Sequence, residues 1–342
     1  MSEQHKGTQW LIGFAAFVVI IAGLKAASQV VVPFMLSVFI AIICAPLMSA
    51  LRARHVPTGL AVLLVVLIIV VGLGSVGMLV GSSLDDFYKQ MPFYKQRFAA
   101  EMSNIITWLN GLGVQLSTEQ IRSHIDPSSL MQLFANTLAS LGGVLTNLVL
   151  VVITVVFILF EAAELPKKLS IALEDASKSM QTAEHFIATV NRYLVIKTLV
   201  SIGTGVLITA WLWVLGVDFP ILWGVCAFML NFVPNIGSII AALPAVMLAF
   251  VQLGLFSAGL TALGFLVVNL VMGNMIEPRY MGRGLGLSTL VVFLSLLLWG
   301  WVFGPVGMLL SIPLTIILKI ALEENPRTRW LAIMIDSSPK QR

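Results

Sequence analysis

The chain has 342 residues, of which 58% are hydrophobic and only 11% charged, with a formal net charge of +4 and a mean hydropathy of +0.99. One soluble core cannot hide that much apolar surface, which excludes a water-soluble globule and leaves a polytopic, all-α membrane protein. The few basic residues lie near the ends of apolar runs and do not gather with aromatic neighbours on one face, so a nucleic-acid partner is excluded as well.

The first apolar runs are Trp10 to Ala27 and Val30 to Leu51. Lys6 followed by an apolar stretch imitates a secretion signal. Lys25 interrupts the cleavage boundary, however, and the next run follows within a few residues, so the pair reads as a helical hairpin. Leu60 to Val80 completes a three-span bundle over residues 1–80. Residues 81–140 are mixed in polarity and predict a small helical extracytoplasmic insert. There Ser117 with Gln120 resembles a capping box, and Asp126-Pro127 offers an N-cap followed by proline at the first helical position. The region 141–198 holds a fourth run, Leu141 to Phe160, and then matched Lys and Glu residues with Leu165, Leu169, Leu173, Met180, Ile187, Val190 and Leu194. This pattern predicts amphipathic cytoplasmic helices, either on the membrane surface or as a solvated linker.

Residues 199–322 form the predicted transport core, with a cytoplasmic tail over 323–342. The core contains Leu199 to Leu215, a broken run from Phe219 to Gln252, Phe256 to Ile276, and a second broken run from Leu287 to Leu322. Each half of a broken run is about fifteen apolar residues long, whereas a straight crossing needs about 20, so re-entrant helical hairpins are expected among about eight embedded segments. Pro234 and Gly237 break the first, and Pro305 and Gly307 the second, because proline removes a backbone donor and glycine weakens a helix. Arg52, Arg54 and His55, then Lys167 and Lys168, then Arg279 and Arg283, and finally Arg327 and Arg329 all fall on one side when crossings are counted. That side is the cytoplasm, and both termini share it. The two hairpins then enter from opposite faces, as in an inverted repeat, with a solute site expected between their tips.

Polar groups at membrane depth are costly unless paired or wet, so they are the first candidates for function. Asn231 and Asn235 flank Pro234; they either hold solute hydroxyls or cap the broken helix ends. Asn269 and Asn274 precede Glu277, Pro278 and Arg279 at the end of a span. Glu277 and Arg279 either form an ion pair that fixes the turn or serve ion coupling, because partial desolvation favours a protonated carboxylate and membrane-edge acids exchange protons. Lys197, Ser201, Thr204 and Gly205 share one helical face, suited to close packing or to a polar path. Lys25 and Asp218 are expected only to snorkel or cap at outer ends, and Trp211, Trp213, Trp299 and Trp301 to anchor at interfaces. Cys44 and Cys226 sit inside apolar runs as small hydrophobes. No phosphate-binding loop occurs, so no ATP hydrolysis is expected; the chain is read as a non-enzyme needing no cofactor and no metal.

Several motifs carry a family likeness: Tyr193-Leu-Val-Ile-Lys197-Thr198, Leu230-Asn231-Phe-Val-Pro234-Asn235-Ile-Gly237-Ser238, Gly273-Asn274-Met-Ile-Glu277-Pro278-Arg279, and Trp299-Gly300-Trp301 with Gly304-Pro305-Val-Gly307. With them the chain resembles the autoinducer-2 exporter (AI-2E) family of bacterial membrane transporters. The resemblance implies an inner-membrane homo-oligomer that exports the quorum-sensing signal autoinducer-2, with Asn231, Asn235 and Asn274 contacting that small polar solute. The run from Gly282 to Leu290 is similar to the signal-exporting branch. The family also holds members associated with sodium–proton antiport, which makes a monovalent cation the alternative cargo. A non-transporting scaffold or permease regulator, binding partners through residues 81–140, is the alternative of another class.

Overall fold

The computed structural model describes residues 2–111, 148–172, 176–234, 236–281, 287–324 and 328–336. The Ser117–Gln120 and Asp126–Pro127 patterns, Asn235 and the run 282–286 lie outside the described residues. All secondary structure among the described residues is helical. Five of these helices are long and apolar enough to cross a bilayer, and several shorter apolar ones accompany them. The chain divides into two compact units, the first made of Met1–Val66, Val149–Val195 and Arg283–Arg342, the second of Leu67–Leu148 and Ile196–Gly282.

In the first unit, α1 (Ser2–Ala26) and α2 (Ser28–Ala53) are the two expected helices, separated by the single turn residue Ala27; the tight packing of a hairpin between them is not seen among the described residues. Fully buried Ser37 of α2 donates to Pro33 O at 2.7 Å and lies 3.2 Å from Val151 O of α4 (Leu148–Ala172). Helix α10 (Thr289–Leu309) packs against α1 and α2, and Lys25 Nζ sits 3.5 Å from the centre of the Trp301 ring. Lys25 thus has a cation–π partner and is more than a snorkelling end residue.

The second broken run is interrupted beside Pro305, where its two helical halves meet across a kink at Gly304. The stretch labelled α10, Thr289–Leu309, thus holds two helical pieces, with Gly304 leaving helical geometry between them at φ 66°, ψ −149°. Glycine takes that conformation without steric cost, and Pro305 then stands where a resuming helix needs no donor. The chain turns again at Leu310, and α11 (Ser311–Glu324) follows. Gly307 lies so close to the Trp299 carbonyl that any Cβ would collide with it. Trp299 stacks on Phe303 and donates to Thr315 Oγ1 at 3.1 Å, so it is a packed residue, not an interfacial anchor. A short helix, α12 (Arg329–Ile335), packs on α11.

The second unit contains most of α3 (Thr58–Gly111), the second half of α5 (Ala176–Leu215), and α6 to α9. The apolar run ends at Val80, but α3 continues unbroken to Gly111, 54 residues in all, about 80 Å at 1.5 Å per residue. Rising polarity changes what a helix faces without ending it. Phe87, Tyr94 and Phe98 line one stripe of the extension and are buried in a cluster with Leu212, Leu222, Trp223 and Leu248. The described part of the insert is therefore a continuation of the third span.

Helices α6 (Pro220–Leu230) and α7 (Gly237–Leu253) have 11 and 17 residues. At 1.5 Å per residue α6 reaches about 16 Å, half of a hydrocarbon core of about 30 Å. Gly237 abuts the Leu230 carbonyl where a Cβ would not fit, so the return is tight. The opposite end of this hairpin is latched. Tyr94 donates to Asp218 Oδ2 at 2.8 Å, Gln252 Oε1 accepts from Asp218 N at 2.9 Å, and Trp223 Nε1 donates to Asp218 O at 3.0 Å. Asp218 thus ties α3, α6 and α7 together and is not a simple helix cap. Tyr94→Phe is expected to cost about 1.5 kcal/mol, the low end for a bond to a charged group, read as a lower melting temperature in detergent with solute flux unchanged.

Candidate functional site

The polar groups of the second unit converge on α5, which runs antiparallel to two neighbours. On one side lies a rod made of α8 (Leu255–Asn269), a π-helical turn (Leu270–Ile276) and α9 (Glu277–Met281). Trp211 Nε1 donates to Leu260 O at 3.0 Å, Met272 covers Gly203, and Lys197 meets Glu277. On the other side lies α6. Gly224 faces Thr209 and Gly205, and Asn231 faces Ser201. A Cβ on Gly205 would stand 2.8 Å from the Gly224 carbonyl, so only glycine permits this approach. Small residues at four-residue spacing, Ser201, Gly205 and Thr209, explain why two apolar helices can pack backbone to backbone here.

Lys197 Nζ lies 2.8 Å from Glu277 Oε1 and 2.9 Å from Oε2. The lysine side chain is 6% exposed and the glutamate 17%. The sequence-based pairing of Glu277 with Arg279 is corrected: residues two apart on a helix point to different faces, and Arg279 is exposed. A charge pair withdrawn from water needs good geometry to offset its desolvation, and contact through both carboxylate oxygens supplies it.

One turn along α5, Asn231 Nδ2 donates to Ser201 Oγ at 2.9 Å, and both residues are buried. Asn231 is the C-cap residue of α6, its own N–H bonded to Ala227 O at 3.0 Å. Its side-chain amide nitrogen reaches across to α5 and not back to the helix end. Its Oδ1 is left as an acceptor beside the helix break.

The structure brings Asn231 and Glu277 to successive turns of one α5 face, through Ser201 and Lys197. Asn274 lies in the π-helical turn and is exposed, and Pro234 is half-buried next to Asn231. Pro305 and Gly307 belong to the first unit. Lys197 is the group whose importance the sequence understated. Its signal is a lysine inside an apolar run with no acidic residue one turn away on its own helix, so that its counter-charge has to come from elsewhere.

The π-helical turn sets the direction of Glu277. The Glu277 N–H bonds to Met272 O, five residues back, where an α-helix would use the fourth. Wide turns of this kind are rare and gather at functional sites. Trp211 is half-buried and bonded to α8, so it packs more than it anchors, whereas Trp213 is exposed.

The family model of AI-2E family transporters matches residues 14–327. The chain is 40% identical to the AI-2 transport protein TqsA of Escherichia coli strain K12 over 335 residues, covering 98% of this chain and 97% of that protein. A Haemophilus influenzae protein described no further than as a candidate transport protein is 43% identical over 333 residues, 95% of each chain. A candidate transport protein of Escherichia coli, YhhT, is 36% identical over 98% of this chain and 97% of its own length.

Proposed function

Because the chain belongs to the AI-2E family of transporters, and is accordingly a multi-pass membrane transporter of a small solute, we propose that its solute is autoinducer-2, exported from the bacterial cytoplasm across the inner membrane. The observation that carries this is end-to-end similarity at 40% identity to a protein described as transporting that signal. The site chemistry agrees with it. Autoinducer-2 is small, uncharged and rich in hydroxyls, and amide groups at a helix break offer such a solute both donors and acceptors.

In this proposal Asn231, Asn235 and Asn274 contact the solute, and the α6–α7 pair is a re-entrant hairpin whose break at Pro234 and Gly237 shapes the contact. Pro305 and Gly307 shape the second break. Glu277, held by Lys197, is the coupling group, and Arg279 contributes charge at the same end of the rod. Both termini are cytoplasmic, and the working protein is a homo-oligomer.

Labelled autoinducer-2 flux in proteoliposomes, measured with and without a proton gradient, tests the proposal. Saturable signal transport that responds to the gradient is the expected result. Vesicles that exchange sodium for protons and leave the signal unmoved overturn it.

A further inference from the structure

The seven-residue helix α12 is a second kind of surface. Lys319 Nζ on α11 binds Asp336 Oδ2 at 2.8 Å, just past the C-terminal end of α12, and Ser288 N donates to Ile335 O at 3.1 Å. The Thr328 hydroxyl donates to Leu322 O at 3.0 Å on its other side. Ala332 is 1% exposed and forms the buried face. The helix is thus fastened at both ends beside the end of α11, with one face fixed outward.

That outward face is apolar. Trp330, Ile333 and Met334, at positions i, i+3 and i+4, are 47%, 50% and 72% exposed. A helix turned toward water would present polar residues there. The first residue of α12 is the exposed Arg329, and Arg327 lies two residues before it in the sequence. A tryptophan, two apolar neighbours and an arginine at the start of the helix, beside the end of an apolar helix in a membrane transporter, match a lipid surface with anionic headgroups.

We propose that α12 is an interfacial anchor: Trp330, Ile333 and Met334 insert into the leaflet at which α11 ends, and Arg329 contacts anionic headgroups. The anchor holds the polar cluster of Lys319 and Asp336 at a fixed depth. It is independent of which solute is carried.

The test is spin-label accessibility on the full chain, in nanodiscs of phosphatidylglycerol and phosphatidylethanolamine. Met334→Cys is labelled with a nitroxide in a background with Cys44→Ser and Cys226→Ala, and Ile333→Cys provides a second site should the first variant fail to fold. The expected result is a label relaxed more by oxygen than by a water-soluble nickel chelate, with the reverse at Arg329→Cys. Replacing phosphatidylglycerol by phosphatidylcholine is expected to raise nickel access at position 334. Nickel access exceeding oxygen access from the outset means an aqueous helix and overturns the proposal. So does an immobile label reached by neither reagent, which means that protein, such as a second copy, covers the face. Indifference to the headgroup overturns the role of Arg329.

Discussion

Lys197→Met is expected to destabilise the protein by about 3 kcal/mol, the lower end for breaking a buried charge pair, because Glu277 loses its counter-charge where water has limited access. The measurement is the melting temperature in detergent, with membrane insertion scored alongside. The double variant Lys197→Met with Glu277→Met is expected to recover stability to within about 1 kcal/mol of the starting protein, since apolar groups of similar volume commonly replace a buried pair at no net cost. Export is expected to stay lost in the double variant if Glu277 couples transport. Recovery of export along with stability would assign the pair to fastening α5 to the rod and remove the coupling role. The two outcomes separate because one depends on packing and the other on a titratable group.

Asn231→Leu is expected to reduce signal flux to the level of empty vesicles while leaving insertion intact, and Asn235→Leu to do the same. The variant loses the bond to Ser201 Oγ, a stability cost of about 1–2 kcal/mol from one hydrogen bond and one partnerless hydroxyl. Ser201→Ala removes that bond and keeps the amide. If Asn231 touches solute, Ser201→Ala retains most of the flux; if Asn231 only clasps α6 to α5, both substitutions weaken stability and flux in proportion. Wild-type flux in Asn231→Leu would remove the proposed site.

Much of the architecture is written in one-dimensional patterns. Apolar runs found the spans, and the Pro234 and Gly237 break is visible because helix-breaking residues interrupt an otherwise continuous run. Three features were hidden for identifiable reasons. The extension of α3 is invisible to a hydropathy argument, since Phe87, Tyr94 and Phe98 are spaced among polar residues and their burial depends on partners far along the chain. The Lys197–Glu277 pair spans eighty positions, so the nearer Arg279 looked like the partner. The roles of Asp218 and Tyr94 likewise arise from tertiary contact alone. Site residues were best found where a polar side chain stood inside an apolar run, as Asn231 does, and least well where its counterpart lay on another helix.

The π-helical turn gives the rod one residue of slack. A helix that closes its bonds on the fifth residue holds one more residue in the turn than a regular helix, and each residue is worth about 100° of rotation. If that extra residue were lost from the turn, Glu277 and the rest of α9 would swing about a quarter turn around the axis, while Trp211 would still hold Leu260 at the far end. The acid would then leave the ammonium of Lys197 mainly by rotation, with an axial shift of only about 1.5 Å and no bend in the rod. Deleting one residue between 270 and 276 would freeze the protein in that rotated setting. The wide turn is thus the point in this span where the loss of one residue would re-aim the acid.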